Sequence, residues 1–276
     1  MRKTTLLALA CLGATGAHAQ FIAEIGINPP GTDNGSEYIE IQGTAGASLA
    51  GLAIIQIEGD AGAANPGNVD SVVNLGSFSF GSNGLLLVRD ANTTIGAGPE
   101  AGTNVVVQDF APDLENADAQ TWMLVNGFSG AAGNDLDTNN DGVLDSTPWT
   151  SVIDAVGFGT TTAAFFQYAG QVGGTDMGIN EGINFNDFEP DWLYRILNAS
   201  LDAPFMWAAA DLNSGTPWVL DPEERVGLPG YPGAVPLNRD VTTVDPGRIN
   251  AGIVPEPATM CALALGAAAL IRRRRQ

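Results

Sequence analysis

Lysine, histidine and cysteine are nearly missing from this chain: its 276 residues include one lysine, one histidine and two cysteines. Lys3, Cys11 and His18 fall in the first 19 residues and Cys261 in the last 22, so residues 20–254 contain none of the three. That stretch therefore has no disulfide, thiol nucleophile, Schiff-base lysine, histidine general base or zinc site of the His or Cys kind. Positive charge is scarce too. Residues 20–254 carry five arginines (Arg89, Arg195, Arg225, Arg239, Arg248) against 30 Asp and Glu, a formal balance of −25, compared with −20 for the whole chain. Binding to phosphate backbones or anionic lipid rests on Lys and Arg, so this surface disfavours DNA, RNA and such membranes. It suits hard cations. Acidity of this degree also serves simply to keep an extracellular protein in solution.

Sustained helical patterning is absent as well. Charged residues make up 15% of the chain, and no segment repeats apolar residues every 3.6 positions over several turns. The longest helical candidate is Asp191 to Ala199. Short apolar segments bounded by Gly, Asn, Asp and Pro predict a mainly β fold, with strands at Phe21 to Asn28, Glu37 to Gln42, Ala53 to Glu58, Asp70 to Leu75, Leu85 to Arg89, Asn104 to Gln108, Thr121 to Val125 and Ser151 to Phe158. Eight short strands with turns between them suggest a sandwich. In the first strand, alternation would place Phe21, Ala23, Ile25 and Ile27 on one face and Ile22, Glu24, Gly26 and Asn28 on the other. Beyond Pro204 prolines recur, so residues 221–254 read as a Pro/Gly-rich closing segment or linker holding the body off the membrane.

Both ends have the character of addresses. Arg2 and Lys3 precede the apolar stretch Leu6 to Gly13, and Ala17-His18-Ala19 supplies the small-x-small pattern of a signal-peptidase site. Residues 1–19 are thus a signal peptide, cut between Ala19 and Gln20. Cys11 follows Ala8-Leu9-Ala10, in which leucine is missing from its usual position in a lipoprotein cleavage box, and this argues against lipidation. At the other end Pro255-Glu256-Pro257 is followed by an apolar run from Ala258 to Ile271 and then by Arg272, Arg273, Arg274 and Arg275. As a helix the run would be about 21 Å long, short of the roughly 30 Å hydrocarbon core. The arginines would stay on the cytoplasmic side and leave the preceding chain outside. An ordinary tail anchor would read the same way.

The order of these parts resembles the PEP-CTERM sorting signal of Gram-negative bacteria, which spans residues 255–276 here with Val254 before it. The resemblance implies recognition by an exosortase, transient anchoring in the inner membrane by a short transmembrane helix, and a mature protein released or attached at the cell surface. It also implies an association with extracellular polysaccharide.

The front of the body carries a second resemblance. Phe21-Ile22-Ala23-Glu24-Ile25, a polar turn from Asn28 to Gly35, Glu37-Tyr38-Ile39-Glu40-Ile41 and Ser48-Leu49-Ala50-Gly51-Leu52 resemble the opening of a lamin-tail domain, with Leu52 where the family has an aromatic. Ser214-Gly215-Thr216-Pro217 and Pro246-Gly247-Arg248-Ile249-Asn250 are loosely similar to its closing elements. The resemblance implies an immunoglobulin-like β sandwich over residues 20–220, with a loop-rich C-terminal region.

Local chemistry is richest near residues 135–145. Asp137, Asn139 and Asp141 present side-chain oxygens, Gly142 allows a sharp turn, Val143 offers its carbonyl and Asp145 a further carboxylate, as in the first nine positions of an EF-hand-type Ca²⁺ loop. Pro148 stands where that loop has its bidentate glutamate, so the missing ligand either weakens affinity or is replaced by another carboxylate, with Asp135 or Asp154 as candidates. Gly127 to Gly130 and Pro148-Trp149 start no helices, which places the loop between strands. A polar Asn-Asp-Gly turn without metal is the plainer reading.

Other features carry less. Glu24, Glu37 and Glu40 are candidate paired carboxylates for glycoside hydrolysis, yet carboxylates on neighbouring strands also arise as solvated positions or as acceptors for loop amides. Trp149, Trp192, Trp207, Trp218, Tyr168, Tyr194 and Tyr231 would pack inside rather than line a sugar platform. No regular Thr-x-Thr array marks an ice-binding face. Two functions follow: an exported, non-catalytic surface or matrix module, or a secreted carboxylate-dependent polysaccharide hydrolase.

Overall fold

The computed structural model describes residues 20–28, 35–60, 65–93, 98–110, 113–115, 119–159, 165–178, 191–197, 204–211, 218–219 and 246–250. Apolar segments punctuated by turn residues become β1 (Phe21–Gly26), β2 (Tyr38–Gln42), β3 (Leu52–Glu58), β4 (Val69–Asn74), β5 (Leu85–Arg89), β6 (Asn104–Val107), β7 (Ala119–Asn126) and β8 (Ser151–Gly159). All eight lie where the sequence pattern placed them. Four more follow among the described residues, β9 (Thr175–Gly178), β10 (Trp192–Leu197), β11 (Pro204–Asp211) and β12 (Trp218–Val219), with a 3₁₀ turn at Gly170–Val172.

The strands form a seven-stranded sheet in the order β12-β11-β10-β1-β2-β5-β6 and a five-stranded sheet in the order β4-β3-β7-β8-β9. Pairing is antiparallel except for β5 with β6 and β8 with β9. Ile25, Ile39, Ile41, Leu86 and Leu193 from the first sheet meet Ile54, Trp122, Leu124, Val156 and Phe158 from the second in one buried apolar cluster. The core therefore lies between the sheets. Burying each such side chain contributes about 1.5–3 kcal/mol.

Where a helix was expected, from Asp191 to Ala199, residues Trp192–Leu197 form a strand. β10 pairs with β1 on one side and β11 on the other, and all six of its residues are buried. A segment covered on both faces needs no alternation, so the Trp-Leu-Tyr-Arg-Ile-Leu run carries no strand period. The facing expected for β1 also changes. A bulge between Ile22 and Glu24 puts Ile22 with Ile25 and Ile27 in the inter-sheet core, while Phe21 and Ala23 pack with Leu197 on the opposite face. One extra residue reverses the parity of everything before it.

The bulge also frees polar groups to tie the molecule together. Asp154 on β8 accepts the Ile22 N–H at 3.0 Å and pairs with Arg195 of β10 at 2.5 Å, so one carboxylate links both sheets. Burial raises its pKa against the opposing pull of Arg195 and the Ile22 amide. The Arg195 guanidinium also stacks 4.0 Å from the Trp207 ring centroid.

The outer face of the five-stranded sheet is apolar too, through Ala53, Ile55, Ile57, Met123 and Val125. It is covered by the connection from β7 to β8 and by residues before the 3₁₀ turn, chiefly Leu136, Leu144, Phe166 and Tyr168. This cover fixes the acidic loop in place. The expected signal peptide of residues 1–19, most of the 221–254 segment, and the short apolar helix expected between Ala258 and Ile271 lie outside the described residues. Among the described residues no helix is long and apolar enough to cross a membrane.

Candidate functional site

Residues 133–136 run along the start of β4. The Val69 N–H bonds the Asn134 carbonyl at 2.8 Å, and the Leu136 N–H bonds the Gly67 carbonyl at 2.9 Å. Leu136 enters the outer apolar cluster, which brings Asp137 under cover with no exposed surface. Its carboxylate is an acceptor hub. Oδ1 takes the Asp141 N–H at 3.1 Å, and Oδ2 takes the Gly142 N–H at 2.8 Å and the Tyr168 hydroxyl at 2.9 Å. Burial and the neighbouring carboxylates push the Tyr168 hydroxyl upward, so it remains a proton donor.

The rest of the loop is exposed and internally bonded. Asn139 Oδ1 accepts the Asp141 N–H at 3.1 Å, Asp141 Oδ1 accepts the Val143 N–H at 3.0 Å, and the Thr138 hydroxyl donates to Asp145 Oδ2 at 2.6 Å. Asn140 and Gly142 adopt left-handed conformations, φ 56° and 81°, and a Cβ on Gly142 would stand 2.5 Å from the Phe166 ring. Gln171 closes the turn, donating to the Gly142 carbonyl at 2.6 Å and accepting the Leu144 N–H at 3.1 Å. The structure thus brings Asp137, Asn139 and Asp141 into one turn, with Val143 exposed at its rim. Asp135 accepts the Asp137 N–H at 3.0 Å, whereas Asp154 is committed to Arg195. Among the described residues no three His, Cys, Asp or Glu side chains stand together as a formed metal cage.

Glu24, Glu37 and Glu40 are fully buried. Glu24 accepts the Tyr38 hydroxyl. Glu37 accepts the Leu114 N–H at 3.0 Å and Glu40 the Gly247 N–H at 2.5 Å. Two of the three thus receive loop amides, and none occupies a solvated position. In this conformation a polysaccharide cannot reach them. Trp192, Trp207, Tyr168 and Tyr194 are buried, Trp149 is half-buried against the outer cluster, and Tyr231 lies outside the described residues.

A further acidic group has no mark in the sequence. The register shift opposite Gln56 and Ile57 leaves Asp70 without a ladder partner on β3. Its Oδ2 is buried with no hydrogen-bond partner among the described residues. Burial, with repulsion from Glu58 and Glu115, pushes the carboxyl from 3.8 up to about 7. Glu58 is raised by burial too, although it accepts the Asp60 N–H at 2.7 Å.

The C-terminal segment also returns to the body. The Gly247 carbonyl accepts the Glu100 N–H at 2.9 Å and the Thr103 hydroxyl at 2.8 Å, and Asn250 Nδ2 donates to the Ala23 carbonyl at 2.9 Å. Gln20, the expected first residue after signal cleavage, immediately precedes β1. Ala19 and the motif residues Pro255, Glu256, Pro257 and Arg272 to Arg275 lie outside the described residues. No curated protein and no solved structure matches the chain. Residues 254–275 match the family model of the PEP-CTERM protein-sorting motif, which marks this chain as an exported protein sorted by an exosortase.

Proposed function

We propose that the protein is a non-catalytic module of the cell surface or extracellular matrix, associated with exopolysaccharide and held at the inner membrane only while it is processed. Its two-sheet body, in this reading, is an immunoglobulin-like sandwich of the lamin-tail kind. The observation that carries the proposal is the sorting motif joined to a body without Lys, His or Cys. Such a body offers few of the groups that perform acid–base or nucleophilic chemistry. The sealed positions of Glu24, Glu37 and Glu40 weigh against the polysaccharide hydrolase that remained open from sequence. Incubating the released body with the host's own exopolysaccharide tests this. Saturable binding without new reducing ends is expected, and turnover would overturn it.

Within this body the 135–145 loop takes Ca²⁺ as a structural ion. Asp137, Asn139, Asp141 and Asp145 would hold it through side-chain oxygens and Val143 through its carbonyl. This all-oxygen donor set suits calcium, and the left-handed turns at Asn140 and Gly142 already fold the loop around Asp137. When bound, the ion would neutralise carboxylates that otherwise repel one another, stabilising the cover over the outer apolar face. Calorimetry of the body against Ca²⁺ should give heat that Asp141→Ala abolishes; no heat and no shift in melting temperature would sink the assignment.

A further inference from the structure

Five residues upstream of Pro255 the chain is fastened to the body. Gly247 donates to the buried Glu40 carboxylate at 2.5 Å, its carbonyl receives Glu100 and Thr103, and Arg248 Nε bonds the Gly98 carbonyl at 3.0 Å. Ile249 packs against Phe21, Ala23 and Leu197, and Asn250 holds the Ala23 carbonyl beside the β1 bulge. Gly247 has φ +87°, and a Cβ there would lie 2.6 Å from Pro99 Cβ and 2.7 Å from its Cα. The position accepts only glycine without moving the backbone.

These contacts lie close to the sorting motif in sequence. Only Ala251 to Val254 separate Asn250 from the sorting motif. At 3.3–3.6 Å per residue the five steps from Asn250 to Pro255 reach at most about 18 Å. The apolar run begins at Ala258, three residues beyond Pro255.

We infer that the segment Pro246–Asn250 is a clamp that restrains processing of the sorting signal. An enzyme acting at the motif must accommodate the body within that short reach or pull the clamp away. Docking thus competes with access, and processing is slowest while the body is folded and clamped. After processing, the clamp remains with the body as its C-terminal closure. The inference rests on the sorting reading, and Glu40, Thr103 and Ala23 act in it only as positioning groups.

The test follows loss of the C-terminal segment by pulse–chase in the native host, comparing the full wild-type chain with two variants. Ten Gly/Ser residues inserted between Gly252 and Ile253 leave every clamp contact intact and relax the reach. Gly247→Val undoes the clamp itself. Gly247→Val should be processed about tenfold faster than wild type, the factor that one or two net hydrogen bonds represent, and the insertion should also be processed faster than wild type. If Gly247→Val is degraded before processing, the insertion alone decides. A wild-type tail that is never removed overturns the sorting reading and the clamp with it. A tail that is removed at a rate indifferent to the insertion overturns the clamp alone.

Discussion

Asp137 serves two purposes in this account, and its replacement separates them. In Asp137→Ala the Gly142 amide and the buried Tyr168 hydroxyl lose their acceptor, and the Asp141 amide keeps only Asn139 Oδ1. A hydrogen bond to a charged acceptor is worth about 1.5–3 kcal/mol, and an unsatisfied buried hydroxyl costs about 1–3 kcal/mol. These terms overlap and water reaches the exposed side of the turn, so the expected loss is about 3 kcal/mol in total. For a domain of this size that lowers the melting temperature by roughly 6–12 °C. The loss should appear with EDTA present, because it owes nothing to metal. Asp141→Ala differs, since Asp141 is exposed and its side chain accepts only the Val143 amide and the Asn139 side-chain amide. It should cost under about 1 kcal/mol in EDTA, yet abolish any gain from Ca²⁺. Melting curves of wild type and both variants, in EDTA and in millimolar Ca²⁺, read the two effects separately. An Asp137→Ala body melting within a degree or two of wild type in EDTA would refute the buried-hub argument.

Asp70 should make stability fall as pH rises. Between about pH 4 and 7 its folded carboxyl keeps a proton that the unfolded chain releases, so the favourable contribution present below pH 4 is lost through that window. Glu58, also raised by burial, acts in the same sense. The difference between 3.8 and about 7 corresponds to about 4 kcal/mol, and solvent screening of a half-buried group reduces this to about 2. Asp70→Asn should flatten the dependence in urea melts at pH 5 and pH 8; an unchanged slope would count against it. Arg195→Ala leaves Asp154 buried without its partner and should cost about 3–5 kcal/mol by chemical denaturation. Arg195→Met, which keeps packing on Trp207 but not the charge, should cost nearly as much, and a clearly smaller loss would mean that packing on Trp207 matters more than charge. Gly142→Ala forces a side chain into a left-handed turn against Phe166 and should cost about 1–3 kcal/mol by the same assay.

The first eight strands were legible because each is a short apolar run closed by Gly, Asn, Asp or Pro. β10 was not, since a strand buried on both faces shows no alternation to distinguish it from a short helix. Parity along β1 was hidden by a one-residue bulge, which depends on pairing with β2 and leaves no local trace. The loop's oxygen spacing stood out, but the burial of Asp137 depends on Tyr168, 31 positions away. Likewise Glu40 could be seen as a carboxylate on a strand, whereas its partner Gly247 is 207 positions distant. The sorting motif was readable whole because it is recognised as a linear sequence and needs no fold.

The central claim, that an acidic β body is exported and parted from both address segments, is tested most directly by intact mass spectrometry of the protein recovered from its native host. The expected mass is that of a chain starting at Gln20, lacking the apolar run and Arg272 to Arg275, and still carrying Pro246 to Asn250. A mass that retains the C-terminal arginines would contradict it.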